Sequence, residues 1–472
     1  MNGIFGVASK RNCSELLFYG TDYHSHLGTE IGGLAVLGKE IKIEIRDISS
    51  SQFKTEFYEA YKKMEGNLGI GVISAKDKQP ILQRLKLGPF AICTNGFIEN
   101  AEELVSELMD EEVSFTELTN SSVNHTELAA KLIDQGNDFV DGIKKMYERI
   151  EGSISLLLLS EKDRCIYCAS DRFPLVIGER GEDWAVTSET CAFPNLGFKT
   201  FKYLQPREIS AISESGIEEG IKKAKSATKK TCAFLWIYGG YPASDYYGVN
   251  VEVVRERCGR ALARDDKKVN LKADLVCGVP DSGIAHGIGY SMESGIPFRR
   301  PLVKYTPGWD RSYTPLNQED RDKIAYYKII PIPEMIKNLE IVITEDSIVR
   351  GTQLRKLLEE KVWPHEPRMV HIRVACPPLM FPCKYNLSTR SVEELAARRA
   401  IRKIEGKDIE NVDEYLDPNS RKYKDMIEEI KRDIARKHAD SMTLKYQKLD
   451  DMVKAIGLPK EQLCLYCWTG KG

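Results

Sequence analysis

From about residue 232 onward, the chain alternates short apolar segments with polar loops and helix-like stretches. Three apolar segments have the length of buried strands, at residues 273–279, 339–344 and 369–374. The first two each lead into a loop and then into a helical pattern. This alternation is typical of a parallel sheet that binds ligands at the carboxyl ends of its strands. The sequence therefore predicts an α/β domain with a ligand site at that edge of the sheet.

The loop after the second strand has the composition of an anion site. Successive backbone N–H groups, a glycine turn, two hydroxyls and the start of a helix all favour a phosphate. Two carboxylates at the strand end suit neighbouring hydroxyls or a magnesium-bridged group. The loop therefore predicts a sugar phosphate, and the alternative is a capped helix after a buried strand. Its residues are Glu345, Asp346, Ser347, Ile348, Val349, Arg350, Gly351 and Thr352.

A second polar loop follows the first strand. Asp281, Ser282 and Gly283 precede a helical pattern that begins near Ile284. By itself this segment is equally consistent with a ligand-binding loop and with a turn followed by a helix cap. Two such loops at one edge of the same sheet favour ligand binding by both.

Residues 1 to about 210 follow a different pattern, in which apolar runs alternate with turns. These runs predict strands of stacked sheets, and two stretches with helical periodicity lie between them. The apolar runs cover residues 32–38, 68–73, 90–93 and 153–159, and the helical stretches cover 101–108 and 126–134.

A polar stretch at 213–230 is the predicted linker between two domains, 1–231 and 232–472. The last 80 residues or so are rich in Lys, Glu, Asp and Arg, and we expect them to form solvated helices that pack against the sheet.

Composition excludes several classes of protein. The chain has 472 residues, a net charge of -2 and 12 cysteines. The length suggests two or three domains, and the charge gives no basic excess of the kind that nucleic acid favours. With no apolar run of 18 residues and no evident secretory signal, we expect a cytoplasmic protein that does not bind membranes. Cysteines in such a protein are expected to be buried thiols and a few metal ligands.

The loop at 345–352 resembles the phosphoribosyl pyrophosphate (PRPP) loop of type I phosphoribosyltransferases. In its order of residues it resembles the loop of the amidophosphoribosyltransferase family of purine synthesis, which usually begins Asp-Asp. The resemblance extends from residue 1 to about 470. It implies an αββα sandwich of the N-terminal nucleophile (Ntn) type, followed by a type I phosphoribosyltransferase domain with a parallel sheet. It also implies a homodimer or homotetramer.

This resemblance assigns roles to the two loops. It places the 5-phosphate of PRPP on Ser347 to Thr352, the ribose diol on Glu345 and Asp346, and the pyrophosphate on Asp281 to Gly283. Magnesium would be held by Ser282, Glu345 and Asp346. Lys304 and Arg311 would be the catalytic cations of the family's flexible loop.

The family's flexible loop, which orders over PRPP, is altered in this chain. The segment 304–315 keeps Lys304 and a final proline, but Arg311 is displaced by one position. The dipeptide Pro307–Gly308 should break any helix that the loop forms on closing.

Four cysteines resemble the ligands of the [4Fe-4S]-containing branch of this family. They are Cys232, Cys383, Cys464 and Cys467. Four thiolates suit iron–sulfur and zinc equally well, and the resemblance favours [4Fe-4S]. The alternative is four unrelated buried thiols.

The N-terminal segment resembles that of Ntn glutamine amidotransferases, which open Cys-Gly-Ile-x-Gly after removal of the initiator Met. Here Asn2 stands at the nucleophile position, and a carboxamide is not a nucleophile. Asn95 and Gly96 match the family's oxyanion hole. Ser74 falls where the family has the Arg that holds the glutamine carboxylate, and His125 lies where it has the Asp that takes the amine. The glutaminase site is therefore predicted to be degenerate.

Two functions follow from these observations. The first is transfer of the 5-phosphoribosyl group from PRPP to ammonia or another amine, with release of pyrophosphate and without glutamine hydrolysis. The second is a PRPP-binding pseudoenzyme that regulates or scaffolds an active homologue. The intact loop at 345–352 favours the first.

Overall fold

The computed structural model describes residues 1–119, 122–221, 230–305, 327–385 and 391–471. The chain divides into two compact units. The first contains Met1–Cys232, Ala243–Gly248 and Lys384–Leu387. The second contains Ala233–Pro242, Val249–Cys383 and Ser388–Gly472.

The described part of the first unit is built on two large antiparallel sheets. Its strands are β1 (Gly3–Ala8), β2 (Ile31–Leu37), β3 (Ile41–Asp47), β4 (Leu68–Ser74), β5 (Ile81–Leu85), β6 (Gly88–Ile98), β7 (Leu118–Thr119), β8 (Ser122–Val123), β9 (Gly152–Ser160), β10 (Cys165–Ala169), β11 (Val176–Arg180), β12 (Asp183–Thr187), β13 (Lys199–Tyr203), β14 (Ile209–Ser213), β15 (Gly216–Ile221), β16 (Thr231–Cys232) and β17 (Asp245–Tyr246). One sheet has the order β13-β11-β12-β1-β4-β2-β3, and the other has the order β15-β14-β10-β9-β6-β5.

Three apolar clusters arrange the first unit in four layers. Helices α1 (Ser14–Asp22) and α2 (Phe53–Tyr61) pack on the first sheet through a cluster that includes Phe18 and Phe53. Ile4 and Leu157 belong to the cluster between the sheets. Leu128 belongs to the cluster under the helices at 101–110, 125–134 and 139–149. The predicted αββα sandwich is thus confirmed. The helices of this unit are α1 (Ser14–Asp22), α2 (Phe53–Tyr61), α3 (Ala101–Asp110), α4 (His125–Asp134), α5 (Phe139–Arg149) and α6 (Phe193–Leu196).

Strand β1 is buried on both faces. Ile4 and Ala8 face the cluster between the sheets, whereas Phe5 and Val7 face the helices. Because successive side chains of a strand point to opposite faces, a strand with an apolar layer on each side has no polar position. Its central place between β12 and β4 therefore fixes residue 2 at the end of the sheet.

The described part of the second unit contains a parallel sheet with the order β19-β22-β23-β24. Leu275 pairs with Ile341, and Gly278 pairs with Thr344. Strands β19 and β22 therefore end at the same edge of the sheet, as predicted. The strands of this unit are β18 (Val249–Asn250), β19 (Leu275–Gly278), β20 (Leu302–Lys304), β21 (Ile329–Pro331), β22 (Glu340–Glu345), β23 (Met369–Val374), β24 (Met442–Tyr446) and β25 (Leu463–Cys464).

Helices α8 and α9 follow β19 and β22, which is the arrangement that the alternation predicted. Helix α9 continues into a π turn at Leu358–Val362 and a 3₁₀ turn at Trp363–His365. The helices of this unit are α7 (Val251–Lys267), α8 (Ile284–Ser294), α9 (Thr352–Leu357), α10 (Ala396–Glu405), α11 (Asp413–Leu416), α12 (Arg421–Ala435), α13 (Leu449–Ile456) and α14 (Tyr466–Thr469).

Two sequence predictions need correction. The C-terminal segment is not all helical, because Met442–Tyr446 forms β24 and pairs with β23 at the sheet edge. Five residues between charged helices are too few for their period to be recognised. The stretch 213–230 is also not entirely a linker, since Gly216–Ile221 forms β15 and pairs with β14. Residues 222–229 lie outside the described part of the chain.

Within the described ranges, no helix combines the length and the low polarity that crossing a bilayer would require.

Candidate functional site

The loop that follows β22 begins with two buried carboxylates. Glu345 accepts a hydrogen bond from Ser282 Oγ at 3.0 Å, and Asp346 accepts one from Ser347 Oγ. Glu345 and Asp346 are 9 % and 4 % exposed. Burial raises the pKa of Glu345 well above its ordinary value, and the adjacent Asp346 carboxylate raises this pKa further. Two acidic groups held together in this way favour a cation or a row of hydroxyl donors.

Gly351 ends the loop and caps α9. Its φ of +76° lies in the left-handed region, which glycine adopts without a steric penalty. The Gly351 carbonyl accepts a hydrogen bond from Arg355 N–H at 3.0 Å, which begins the helix. The loop therefore turns tightly from the sheet edge into the helix.

The two polar loops are joined through Thr344, a buried residue that the sequence did not single out. Its Oγ1 donates to the carbonyl of Cys277 or of Gly283, at 3.1 and 2.8 Å. Its own carbonyl accepts from Val279 N–H at 3.0 Å. A hydroxyl directly after the apolar run Ile341–Ile343 is the one signal that could have revealed it. The structure thus brings the predicted pyrophosphate loop and the predicted phosphate loop together.

We expect the substitution Gly283→Ala to separate the loops. An added Cβ would lie 2.1 Å from the Thr344 carbonyl oxygen and 2.6 Å from Val279 N, and neither is part of a side chain that could move away. Overpacking of this kind costs about 1–3 kcal/mol of the free energy of unfolding. PRPP binding should weaken about tenfold or more, because the loop is displaced. Thermal unfolding and equilibrium titration would measure the two effects.

Gly295→Ala is the matched control. Gly295 has a φ of +81°, and nothing lies within 4 Å of an added Cβ. This variant should lose about 1 kcal/mol of stability from backbone strain and bind PRPP normally. Equal binding by Gly283→Ala and the wild type would contradict the proposed contact between loop and ligand.

Lys304 lies at the predicted pyrophosphate loop. It ends β20, which pairs with β21, and its Nζ forms an ion pair with the Asp281 carboxylate. Asp281 remains 63 % exposed, so the loop is accessible to a ligand. Arg311, the other predicted loop cation, lies outside the described residues.

In the first unit, Asn2 is held by hydrogen bonds from both ends of its carboxamide. Its Nδ2 donates to the Thr94 carbonyl at 3.0 Å, and its Oδ1 accepts from Ala75 N–H at 3.0 Å. Ser74 Oγ lies 3.5 Å from the same Oδ1. Asn2 is 8 % exposed. The residue at the nucleophile position therefore has a structural role here.

The predicted oxyanion-hole residues lie beside Asn2. Asn95 Oδ1 accepts the backbone N–H of Asn2 at 3.0 Å. Gly96 has a φ of +142°, and a Cβ there would lie 1.9 Å from the Ser153 carbonyl oxygen. The close approach of β6 to β9 therefore requires glycine at this position, whether or not the site hydrolyses an amide.

His125 is engaged in the structure of the same region. Its Nδ1 accepts from Ile98 N–H at 3.2 Å, and its ring lies 4.5 Å from that of Phe97. The preceding Asn124 caps α4 by accepting from Thr126 N–H at 2.8 Å. His125 therefore supports the helix start and offers no carboxylate to an amine.

The four predicted cluster cysteines lie among the described residues, and the structure records no disulfide at any of them. Ala233, the neighbour of Cys232 in sequence, donates its N–H to the Cys464 carbonyl at 3.3 Å. The carbonyl of Cys467 accepts from Met380 N–H at 2.9 Å and from Phe381 N–H at 3.1 Å. Among the described residues, no group of three or more His, Cys, Asp or Glu could hold a metal ion.

Comparison with known proteins agrees with this architecture. A family model described as a glutamine amidotransferase domain matches residues 66–195. The amidophosphoribosyltransferase of Methanothermobacter thermautotrophicus is 30% identical over 99% of this chain and 93% of its own length. That of Methanocaldococcus jannaschii is 28% identical over 100% of this chain and 97% of its own length.

Two solved structures share the complete fold. Glutamine PRPP amidotransferase from Bacillus subtilis, in complex with ADP and GMP, has a TM-score of 0.81 and 26% identity, over 99% of this chain and 96% of its own. A structure described as the allosteric regulatory enzyme of purine biosynthesis has a TM-score of 0.82, over 99% and 95% of the two chains. With an Ntn-type sandwich, a type I phosphoribosyltransferase sheet and relatives matched over their full length, this chain belongs to the amidophosphoribosyltransferase family.

Proposed function

We propose that the protein transfers the 5-phosphoribosyl group of PRPP to ammonia or another amine, releases pyrophosphate and does not hydrolyse glutamine. The observation that carries this proposal is the pair of loops joined through Thr344, with the Glu345–Asp346 pair beside Ser282. The family relationship supports the choice of PRPP as the donor.

The reaction replaces one bond at C1 of the ribose. The lone pair of the acceptor nitrogen forms a bond to C1 while the bond from C1 to the pyrophosphate oxygen breaks, and pyrophosphate leaves with the electron pair. The acceptor nitrogen then releases a proton to solvent. Lys304, held at the pyrophosphate loop by Asp281, would offset the charge of the leaving group. The Glu345 and Asp346 carboxylates would orient the diol.

The acidic pair also fits magnesium. Mg²⁺ commonly binds through one or two carboxylates together with substrate phosphates and water. Ser282, Glu345 and Asp346 offer hard oxygen atoms, and Ser282 Oγ already lies 3.0 Å from Glu345 Oε1. When bound, the ion would supply positive charge to the pyrophosphate.

The loss of glutamine hydrolysis is supported by three positions. Asn2 has no thiol, Ser74 cannot pair with a carboxylate as an arginine does, and His125 has no carboxylate. Asn95 is moreover engaged by the Asn2 backbone at 3.0 Å. A free amine such as ammonia therefore becomes the expected nucleophile.

Pyrophosphate release tests this function. Purified protein with PRPP and magnesium should release pyrophosphate with ammonia or with one member of an amine panel, and not with glutamine. Binding of PRPP without turnover across the whole panel would instead support a PRPP-binding pseudoenzyme.

The name of the second solved structure supports a place in purine synthesis. Light scattering would test the expected homodimer or homotetramer, and cell fractionation would test the expected cytoplasmic location.

A [4Fe-4S] cluster on Cys232, Cys383, Cys464 and Cys467 is part of the same proposal. Backbone hydrogen bonds support it. The segment just before Cys383 is bonded to the Cys467 carbonyl, and the residue after Cys232 is bonded to the Cys464 carbonyl. Four thiols are the donor set of such a cluster.

An anaerobic preparation should be brown and contain about four irons per chain. The Cys464→Ser variant should lose the colour and the iron. Cys258→Ser is the control, because this buried thiol is not one of the four. A colourless wild-type protein that contains zinc would contradict the cluster.

A further inference from the structure

In the phosphate loop, two backbone carbonyls accept hydrogen bonds, whereas the backbone N–H groups are left available. The carbonyls of Val349 and Arg350 both accept hydrogen bonds from α10, from Ala396 N–H at 2.8 Å and from Arg399 Nη2 at 2.7 Å. In the described part of the chain, no backbone N–H from Ser347 to Gly351 donates to another group. A run of unpaired N–H groups is the arrangement that an anion requires.

Arg399 ties three elements together. Its Nη1 donates to the Glu394 carbonyl at 2.9 Å, and its Nη2 lies 3.2 Å from Asp433 Oδ2 on α12. The Arg350 side chain is paired with Glu394, at 2.6 Å from Nη2 to Oε2. The Arg350 carbonyl and side chain are thus both bound by the α10 region.

Rotation of a peptide plane would exchange its N–H and C=O positions. A carbonyl turned toward the ligand would present partial negative charge to the phosphate. By bonding the Arg350 carbonyl, Arg399 favours the orientation in which the Gly351 N–H, which shares that peptide plane, remains available. Such pre-organisation improves affinity because the loop need not be ordered when the ligand binds. The planar guanidinium can reach two carbonyls at once, which a lysine ammonium does less well.

We propose that Arg399 is a positioning residue for the 5-phosphate of PRPP, acting through the Arg350 carbonyl and touching no substrate itself. This inference rests on the proposed function, since it assigns the loop at 347–352 to a phosphate. It separates the two loops chemically, because, of these two loops, Arg399 bonds the phosphate loop, and in the described part of the chain no hydrogen bond joins it to Asp281–Gly283.

Arg399→Gln and Arg399→Lys test the proposal, with Arg402→Gln as the matched control. Arg402 lies on the same helix and pairs with Asp408 at 2.9 Å. Calorimetric titration should use ribose 5-phosphate, which carries only the 5-phosphate, and pyrophosphate. Loss of one hydrogen bond should weaken ribose 5-phosphate about tenfold in Arg399→Gln, with pyrophosphate unchanged. Arg399→Lys should recover part of the loss, and Arg402→Gln should bind both ligands normally.

Steady-state rates give a second measurement. For Arg399→Gln with ammonia, KM for PRPP should rise about tenfold while kcat changes little, because the lost contact acts on binding. If the wild type binds no PRPP, that result contradicts the proposed function and does not bear on Arg399 alone. If the wild type binds and Arg399→Gln binds ribose 5-phosphate equally well, the positioning role is overturned. An equal loss of both ligands would also overturn it, since Arg399 would then only stabilise the fold.

Discussion

Replacing Asp346 by Asn is expected to lower pyrophosphate release with ammonia by about 10²-fold to 10³-fold, the loss typical of a group that stabilises developing charge. Asp346 is 4 % exposed and adjoins the Glu345 carboxylate. The Asn side chain has nearly the same shape, but it carries no charge for magnesium and offers a donor where the ribose hydroxyls need an acceptor. Initial rates at saturating ammonia would measure the effect.

The control for Asp346→Asn is Asp450→Asn. Asp450 lies in the same unit, its side chain is 75% exposed, and it pairs with Lys460 at 3.2 Å. The Asp450→Asn variant should release pyrophosphate with ammonia at the wild-type rate. An Asp346→Asn rate within twofold of the wild-type rate would exclude this carboxylate from the reaction. Since burial of Glu345 beside Asp346 raises its pKa, removal of the Asp346 charge should also lower that pKa. Infrared titration of the carboxyl band would report this shift.

The second large effect concerns the nitrogen source. With PRPP present, glutamine should support less than about 1% of the rate with ammonia, since a missing nucleophile removes covalent catalysis. The Asn2→Cys variant should not restore glutamine use. It would still lack the arginine and the aspartate of the family's pocket, and an unpaired substrate carboxylate costs about 1.5–3 kcal/mol.

Asn2→Cys should also destabilise the first unit. The Asn2 carboxamide bonds Thr94 and Ala75, both at 3.0 Å, and a thiol replaces neither bond well. We expect a loss of about 1–3 kcal/mol, the cost of leaving buried backbone groups unpaired. Asn12→Cys, on the surface of the same unit, is a control for thiol reactivity. Glutamate production from glutamine by wild-type protein at a rate near that with ammonia would contradict the loss of glutaminase function.

Much of the phosphate site could be predicted because its residues are consecutive. The eight residues from Glu345 to Thr352 lie on one strand, one loop and one helix start, so local order alone brings them together. The strands at 275–278, 340–345 and 369–374 were similarly evident from their apolar composition. By contrast, β24 is a short, mostly half-buried edge strand, and its place in the sheet depends on pairing with β23.

By itself, the sequence determined the fold class and the absence of a thiol at position 2, and it predicted the loop at 345–352 as the phosphate site. Only the tertiary structure decided what supports them. Thr344 joins the two loops, and Arg399 holds the Arg350 carbonyl from 49 residues away along the chain. Asn2 likewise donates its backbone N–H to the side chain of Asn95, which is 93 residues away along the chain. Contacts of this kind depend on which backbone groups remain unpaired after the sheets form, and a linear pattern of residue types does not contain that information.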